Sequence, residues 1–343
     1  MSTLLEVDAL TVRLPVKGEL RTVLRDVSLS LDEGKTLGMV GESGSGKSMT
    51  ARAIARLLPS GATVAGHVQF AGANVFELRG EALRRYRANG VSVIFQDARA
   101  NINPVRRIGD FLTEALRTND GLPAKKAEQR AIALLAEVGI SDPERRLRQY
   151  PHELSGGLLQ RVMIAAAVTV RPRLILADEP TTALDVTTQA EVMSILRRMQ
   201  QNYGMAMLFI THDLELASAV CDETIVMYAG MVVERQASNN LHTEPLHPYT
   251  AALVQARPEI DRRSVRLPAI PGHPTSAYEA PEGCAFAPRC RFAQDQCRVA
   301  APPLLQIDQR GVTRCVRMPE IRNQLRASTM LLAEGISREE VAR

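Results

Sequence analysis

The sequence predicts an α/β fold that combines a buried parallel sheet, an antiparallel β-layer at the N-terminus and a helical insertion. Residues 4–31 alternate apolar and polar side chains, which is typical of half-buried antiparallel strands. Thr36–Val40 is a short apolar run that leads into a glycine-rich turn and then into a helical pattern that stops at Pro59. Further apolar runs of the kind found in buried parallel strands lie at 174–177, 206–210 and 224–227.

The remaining segments suggest three regions along the chain. Residues 97–172 are mostly helical by pattern, with apolar positions spaced three and four apart between 124 and 138. After residue 257 the chain becomes rich in Pro, Arg and Cys, which indicates a separate extension. We therefore predict an α/β core over 3–257, a four-cysteine extension over 258–320 and a tail over 321–343 that is a plausible amphipathic helix.

Composition limits the classes of function. The chain has 343 residues, of which 45% are hydrophobic, and its formal charge of +4 is too small to indicate a dedicated nucleic-acid binder. The N-terminus lacks the apolar core of a secretory signal. Apolar runs such as 162–168 are far shorter than the ~20 residues that cross a bilayer, so we expect any membrane role to be peripheral.

A phosphate-binding loop is the clearest chemical motif. Residues 41–48 satisfy the pattern G-x-x-x-x-G-K-S between a predicted strand and a predicted helix. The glycines let backbone N–H groups turn around an anion, and the start of the helix adds its positive end. Lys47 would contact the β- and γ-phosphates of ATP, and the Ser48 hydroxyl would bind Mg²⁺. The predicted ATP-binding residues are Gly41, Glu42, Ser43, Gly44, Ser45, Gly46, Lys47, Ser48 and Asp178.

Two adjacent acids end the apolar run at 174–177. Placing Asp178 and Glu179 there is costly unless a cation or a proton transfer uses them. Asp178 suits a direct or indirect role toward Mg²⁺, and Glu179 suits a base that orients or activates the attacking water. The pair therefore supports nucleotide hydrolysis rather than binding alone.

Leu154-Ser155-Gly156-Gly157-Leu158-Leu159-Gln160-Arg161 resembles the signature segment of ATP-binding cassette proteins. A serine and two glycines before a helix make a second anion cradle. In that family the cradle closes on the γ-phosphate held by a partner cassette, so the resemblance implies a P-loop (RecA-like) core with a helical signature subdomain and ATP sandwiched between two chains. The implied partner-facing residues are Ser155, Gly156, Gly157 and Gln160.

Other segments match the same family in the same order. Gln96 resembles the glutamine that senses Mg²⁺ and faces the membrane partner, and Ala183-Leu184-Asp185 resembles the loop that touches the opposing cassette, with Asp185 as its acidic residue. His212 resembles the switch histidine that contacts the γ-phosphate. The resemblance thus implies Glu179, His212 and Gln96 as catalytic residues and Ser48 and Gln96 as Mg²⁺ contacts.

One expected part of the family pattern is missing. Such cassettes usually carry an aromatic ring before the phosphate loop that stacks on adenine, yet no Phe, Tyr or Trp precedes Phe70. The guanidinium of Arg13 or Arg21, or an aliphatic face, would have to replace it. We therefore expect weak discrimination between ATP and GTP.

The extension contains Cys284, Cys290, Cys297 and Cys315. Four thiols can bind zinc or an iron–sulfur cluster, and the spacing alone leaves both open. With His247-Pro248-Tyr249-Thr250, this tail resembles that of the oligopeptide, dipeptide and nickel importer ATPases, some of which carry a [4Fe–4S] cluster there. Four free thiols remain the alternative, and Cys221 is expected to be a packing residue.

The resemblance implies an ATP-hydrolysing subunit of a bacterial importer for peptides or a related small solute. Its implied partners are a second, similar cassette, giving a heterodimer, two transmembrane permeases and, indirectly, an extracytoplasmic solute-binding protein. It would work at the cytoplasmic face of the inner membrane, peripherally, without nucleic acid. The alternative is a soluble cassette ATPase of translation or nucleic-acid repair, although the chain shows neither a second cassette nor a heptad coiled coil.

Overall fold

The computed structural model describes residues 2–182, 184–256 and 269–333. The strands in these ranges are β1 (Thr3–Val16), β2 (Glu19–Asp32), β3 (Thr36–Val40), β4 (Thr63–Phe70), β5 (Ala73–Asn74), β6 (Val91–Ile94), β7 (Leu174–Asp178), β8 (Ala206–Thr211), β9 (Glu223–Tyr228), β10 (Met231–Ala237), β11 (Leu305–Ile307) and β12 (Gly311–Thr313). The helices are α1 (Lys47–Ile54), α2 (Gly80–Arg85), α3 (Ile108–Thr118), α4 (Ala124–Glu137), α5 (Pro143–Arg148), α6 (Gly156–Thr169), α7 (Val186–Tyr203), α8 (Leu214–Val220), α9 (Pro248–Gln255), α10 (Gln296–Val299) and α11 (Met318–Ala333).

The N-terminal strands form an antiparallel sheet in the order β2-β1-β4-β5. Side chains such as Leu5, Val7, Leu10 and Val12 are buried in a core that they share with β3 and α1. The alternation along β1 reflects this arrangement, because successive side chains of a strand point to opposite faces. The predicted antiparallel β-layer is confirmed.

The second sheet has the order β11-β12-β10-β9-β3-β8-β7-β6. Strands β6, β7, β8, β3 and β9 pair in parallel. Their residues are buried almost throughout, which explains why they appear in the sequence as continuous apolar runs. Parallel pairing brings the carboxyl ends of β3, β7 and β8 to the same edge of the sheet.

Helices α3 to α6 form the predicted helical insertion. Leu112, Ala131, Leu135 and Leu159 are fully or almost fully buried in the large core that also covers one face of the parallel sheet. Helix α6 is apolar over most of its circumference because it lies inside this core rather than on its surface. The insertion therefore holds the start of α6 in a fixed position relative to the sheet.

Residues 269–333, called the C-terminal segment from here on, join the core sheet, whereas the sequence suggested a separate extension. Strand β12 pairs with β10 in antiparallel register, and β11 pairs with β12. Helix α11 packs near α9 through a small apolar cluster. The proposed boundary between residues 257 and 258 lies outside the described residues, as do residues 334–343 of the tail, while residues 321–333 belong to α11.

No helix within the described ranges combines the length and apolarity needed to cross a bilayer.

Glu234 of β10 is fully buried near the start of α9. Its Oε1 atom accepts hydrogen bonds from the backbone N–H of Leu246 at 3.0 Å and from Gln236 Nε2 at 2.6 Å. Burial raises the pKa of Glu234 from its ordinary 4.5 to about 7, although these hydrogen bonds act in the opposite direction. Its stabilising contribution is therefore complete below pH 4.5 and is lost as the pH rises through 7.

We expect Glu234→Gln to remove this pH dependence. Between pH 4.5 and 7.5, the free energy of unfolding of the variant should rise relative to that of the parent chain by about 3 kcal/mol. Urea unfolding of both proteins at several pH values measures the difference between their free energies of unfolding. The contributions of the other titrating groups are the same in both proteins and cancel in this difference. A difference that stays constant over this range would contradict the assignment.

Candidate functional site

The phosphate loop lies between β3 and α1, as the sequence predicts. Gly46 is the N-cap of α1 with a left-handed backbone, φ 105°. Lys47 is 6% exposed, and its Nζ donates to the carbonyl oxygens of Gly41 at 2.8 Å and Glu42 at 3.0 Å. Burial lowers the pKa of Lys47, while the carboxylates of Glu179, Asp178 and Glu42 oppose that shift. The loop thus presents a desolvated cation beside the start of a helix, which suits an anionic ligand.

Asp178 ends β7 beside the loop. The Ser48 hydroxyl donates to Asp178 Oδ1 at 2.9 Å. Burial raises the pKa of Asp178, and the Ser48 hydrogen bond opposes the shift. A hydroxyl and a carboxylate next to a phosphate loop are the oxygen donors that Mg²⁺ takes together with nucleotide phosphates, so the donor set fits this ion.

The three predicted catalytic residues meet at one carboxylate oxygen. Glu179 Oε2 accepts a hydrogen bond from Gln96 Nε2 at 3.0 Å and lies 3.5 Å from His212 Nδ1. The Thr182 hydroxyl, which the sequence analysis did not identify, also donates to this atom at 2.8 Å. Glu179 has a left-handed backbone, φ 47°, which is uncommon outside glycine and recurs at functional sites.

Gln96, Glu179 and His212 line one open cavity of about 770 Å³ together with the phosphate loop. This volume lies within the range of about 300–1,000 Å³ that is usual for small-ligand pockets. Besides Met49 of α1, two parts of its wall come from outside the predicted site, namely Val23 of β2 and three consecutive residues of the C-terminal segment. The lining residues are Val23, Ser43, Gly44, Ser45, Gly46, Lys47, Ser48, Met49, Gln96, Glu179, His212, Ser276, Ala277 and Tyr278.

The signature residues are not part of this cavity. Ser155 is the exposed N-cap of α6, and its Oγ accepts from the backbone N–H of Leu158 at 3.4 Å. Gly156 and Gly157 open the helix, so the predicted cradle stands at a helix N-terminus. Gln160 is 4% exposed, and its Nε2 has no hydrogen-bond partner in the described parts of the chain. Within one chain, the phosphate loop and the signature residues therefore occupy separate places.

Asp185 lies next to the signature helix. It caps α7 by accepting from the backbone N–H of Thr188 at 3.0 Å and from the Thr188 hydroxyl at 2.7 Å, and these bonds lower its pKa. A Cβ atom added at Gly157 would lie 2.7 Å from Thr188 Cγ2, so α6 and α7 touch at this point. The predicted partner-facing residues are thus coupled through Thr188. Ala183 of the same loop lies outside the described residues.

The motif predicts Glu42 as an ATP-binding residue, whereas in the structure its side chain binds another part of the protein. Its carboxylate is paired with Arg289 of the C-terminal segment, with Nη1 to Oε2 at 2.7 Å and Nη2 to Oε1 at 3.1 Å. Its backbone N–H donates to the Tyr249 hydroxyl at 2.9 Å. The Arg289 side chain is only 4% exposed, which makes this a largely desolvated pair. No local pattern could reveal it, since 247 positions separate the partners.

The four cysteines of the extension line one small cavity together with apolar side chains. Burial raises the pKa of Cys284 to about 11 and that of Cys315 to about 12. Within the described ranges, no three His, Cys, Asp or Glu side chains form a group that could hold a metal ion, so neither zinc nor an iron–sulfur cluster gains support from the geometry. Cys221 lies apart, buried against Gly38.

Comparison with known proteins gives consistent matches over almost the whole chain. A family model described as "ABC transporter" matches residues 24–182, and one described as "Oligopeptide/dipeptide transporter, C-terminal region" matches residues 233–297. The oligopeptide transport ATP-binding protein OppD of Haemophilus influenzae is 40% identical over 315 residues, or 92% of this chain and 97% of that protein. A putative peptide import ATP-binding protein of Brucella abortus is 44% identical over 313 residues, covering 91% and 94%.

Solved structures agree with the fold. The dimeric ATP-binding cassette MJ0796 in a post-hydrolysis state with ADP and Pi has a TM-score of 0.61 and 26% identity, covering 68% of this chain and 98% of that chain. CbiO1 of Clostridium perfringens, part of an ABC transporter complex, has a TM-score of 0.60 and covers 70% and 91%. The predicted P-loop α/β fold is therefore confirmed.

The Gly157–Thr188 contact generates a mutational prediction. We expect Gly157→Ala to lower the melting temperature, because the new methyl group meets Thr188 Cγ2, with a cost of about 1–3 kcal/mol typical of overpacking. Adding Thr188→Ser should restore most of the loss, since it removes Cγ2 and keeps the hydroxyl that bonds Asp185. Calorimetry of the single and double variants tests this, and no rescue in the double variant would mean that another contact limits the site.

Proposed function

Because the chain belongs to the ATP-binding cassette family of oligopeptide and dipeptide transporter subunits, we propose that it hydrolyses ATP to power the import of peptides or a related small solute. The chain is an ATPase subunit by family, and its relatives named above are peptide-transport ATP-binding proteins. The observation that carries the proposal is the meeting of Gln96, Thr182 and His212 at Glu179 beside the phosphate loop.

The proposed reaction uses these residues in distinct roles. The loop at 41–48 holds the triphosphate, with Lys47 balancing its charge. Ser48 and Asp178 would bind Mg²⁺, which neutralises charge on the phosphates. Glu179 accepts a proton from water as the water oxygen bonds to the γ-phosphorus, and the bond from that phosphorus to the ADP oxygen breaks. His212 contacts the γ-phosphate, and Gln96 orients Glu179.

Two chains would complete each site. The separation of the Ser155 half-site from the phosphate-loop cavity supports a sandwich in which each signature contacts the ATP of the other cassette. ATP binding would close the pair and hydrolysis would reopen it. We propose that the second cassette is a similar but different chain and that Asp185 faces it.

The pair would drive two transmembrane permeases at the cytoplasmic face of a bacterial inner membrane, with Gln96 on the permease side. A solute-binding protein outside the membrane would deliver the solute. The alternative function in translation or repair is not favoured, since the relatives found at 40% identity or more are named as transport subunits.

The role of Glu179 gives the main test. We expect Glu179→Gln to lower the rate of ATP hydrolysis by at least about a hundredfold, because the amide cannot accept the proton, while ATP stays bound and the paired cassettes stay closed. Phosphate release measures turnover, and gel filtration with ATP measures pairing.

Glu128→Gln is a matched control, since Glu128 lies exposed on α4 and outside the cavity. Its turnover should equal that of the parent chain. Unchanged turnover in Glu179→Gln would show that Glu179 is not the catalytic base. Full turnover in a strictly monomeric preparation would show that hydrolysis does not need a second chain.

We further propose that Cys284, Cys290, Cys297 and Cys315 hold a [4Fe–4S] cluster. The support is the composition of the cavity lining, whose four cysteines match the number and kind of ligands that such a cluster takes, while the thiols as placed do not form a metal-holding group. The cavity encloses only about 20 Å³, so the side chains around it would have to rearrange to admit the cluster. Zinc is the alternative that an elemental analysis would distinguish.

Anaerobically purified protein is expected to be brown and to contain iron and acid-labile sulfide in equal amounts. Cys290→Ser should lose both, whereas Cys221→Ser, which changes a buried cysteine outside this cavity, should keep them. A colourless parent protein would contradict the cluster, and zinc without sulfide would indicate the alternative.

A further inference from the structure

The phosphate side of the nucleotide site is complete, but its base side lacks the expected ring. No Phe, Tyr or Trp precedes Phe70 in the sequence, so β1 and β2 offer no aromatic surface near the loop. A purine bound through its triphosphate at Lys47 would still expose a large flat surface that gains from stacking. A ring from elsewhere in the chain could supply this contact.

Tyr278 of the C-terminal segment lies in the wall of the phosphate-loop cavity. Among the described residues that line this cavity, it is the sole Phe, Tyr or Trp. Val23 of β2 lines the same cavity and offers an aliphatic surface next to it. The cavity lining therefore combines the polar groups of the loop with the aromatic ring of Tyr278 and the aliphatic side chain of Val23.

The ring of Tyr278 is oriented by a cation. The guanidinium carbon of Arg21 lies 5.4 Å from the ring centroid, within the distance of a cation–π contact. The residue nevertheless keeps 46% of its surface exposed. One part of the ring is thus held by Arg21, and the remaining surface is accessible to a ligand in the cavity.

The backbone beside Tyr278 is packed tightly against the core. A Cβ atom added at Gly230 would lie 2.8 Å from Ala277 Cβ and 2.6 Å from the carbonyl oxygen of Val23, so only glycine lets these three segments approach. The Thr275 backbone N–H donates to the Tyr228 hydroxyl at 3.2 Å. The segment is therefore packed against the β9–β10 turn at Gly230 and hydrogen-bonded to β9 at Tyr228.

A second attachment links the same segment to the phosphate loop itself. Arg289 pairs with Glu42, and its Nε donates to the carbonyl oxygen of Pro271 at 2.8 Å. The Arg289 side chain thus joins the loop to the stretch that leads to Tyr278. These contacts of Thr275 and Arg289 hold the stretch that carries Tyr278 in place relative to the phosphate loop.

We propose that Tyr278 is the stacking platform for the purine base of the nucleotide bound at Lys47 of the same chain. The C-terminal segment is then part of the ATP site, and Arg21 is a positioning residue for the ring. The inference rests on the proposed binding of ATP. Because stacking uses the face that every base shares, it adds affinity without distinguishing ATP from GTP.

Full-length protein is titrated calorimetrically with Mg-ATP, Mg-GTP and magnesium tripolyphosphate. Tyr278→Ala should raise the Kd for both nucleotides by about tenfold or more and leave the Kd for tripolyphosphate unchanged, because tripolyphosphate has no base to stack. Tyr278→Phe should bind like the parent chain, since the ring is retained.

Tyr203→Ala is the control, because Tyr203 ends α7, is hydrogen-bonded to Glu137 and lies outside the cavity. An equal loss for nucleotide and tripolyphosphate in Tyr278→Ala would overturn the proposal in favour of a structural role, and so would no loss at all. A parent chain that does not bind Mg-ATP would overturn the proposed function itself, which separates the two failures.

Discussion

The parallel register of β3, β7 and β8 is the constraint on which the site depends. Pairing of Thr36–Val40 with β8, and of β8 with β7, ends all three strands at one edge of the sheet. The phosphate loop, the Asp178–Glu179 pair and His212 follow these strands directly. The sheet therefore brings together residues that are far apart in sequence. The hydrogen bonds from Gln96 and Thr182 then fix the Glu179 carboxylate within that arrangement.

The chain separates phosphate binding from the signature. Helix α6 starts with an exposed serine and two glycines outside the loop cavity, and its neighbour α7 starts at Asp185, which shares Thr188 with it. Thr188 therefore links the two elements that the sequence predicts to face a partner. The inner face of α6 is buried in the main core, so the start of this helix is held in a defined position relative to the sheet.

The C-terminal segment packs against the phosphate loop and its cavity. It adds two strands to the sheet, buries Arg289 against Glu42 and lines the cavity with Tyr278. Cys290 is the residue after Arg289, so the cysteine cavity and the phosphate loop are connected through one peptide bond and one ion pair. Breaking this largely desolvated pair would leave an unpaired charge inside the protein. The C-terminal segment therefore stabilises the phosphate loop through Arg289.

The sequence by itself determined the elements and the local chemistry. The glycine and lysine spacing of 41–48, the apolar run before Asp178 and the order of Gln96, Ser155, Asp185 and His212 are local patterns, and local patterns follow from backbone conformation and strand or helix periodicity. Tertiary structure alone decided that the extension joins the sheet, that Glu42 pairs with Arg289 and that an aromatic ring reaches the cavity from Tyr278 rather than from β1 or β2. The Glu42–Arg289 and Arg21–Tyr278 contacts each join residues more than two hundred positions apart, and the pairing of β12 with β10 joins residues more than seventy positions apart. All three arise from packing that no spacing pattern along the chain predicts.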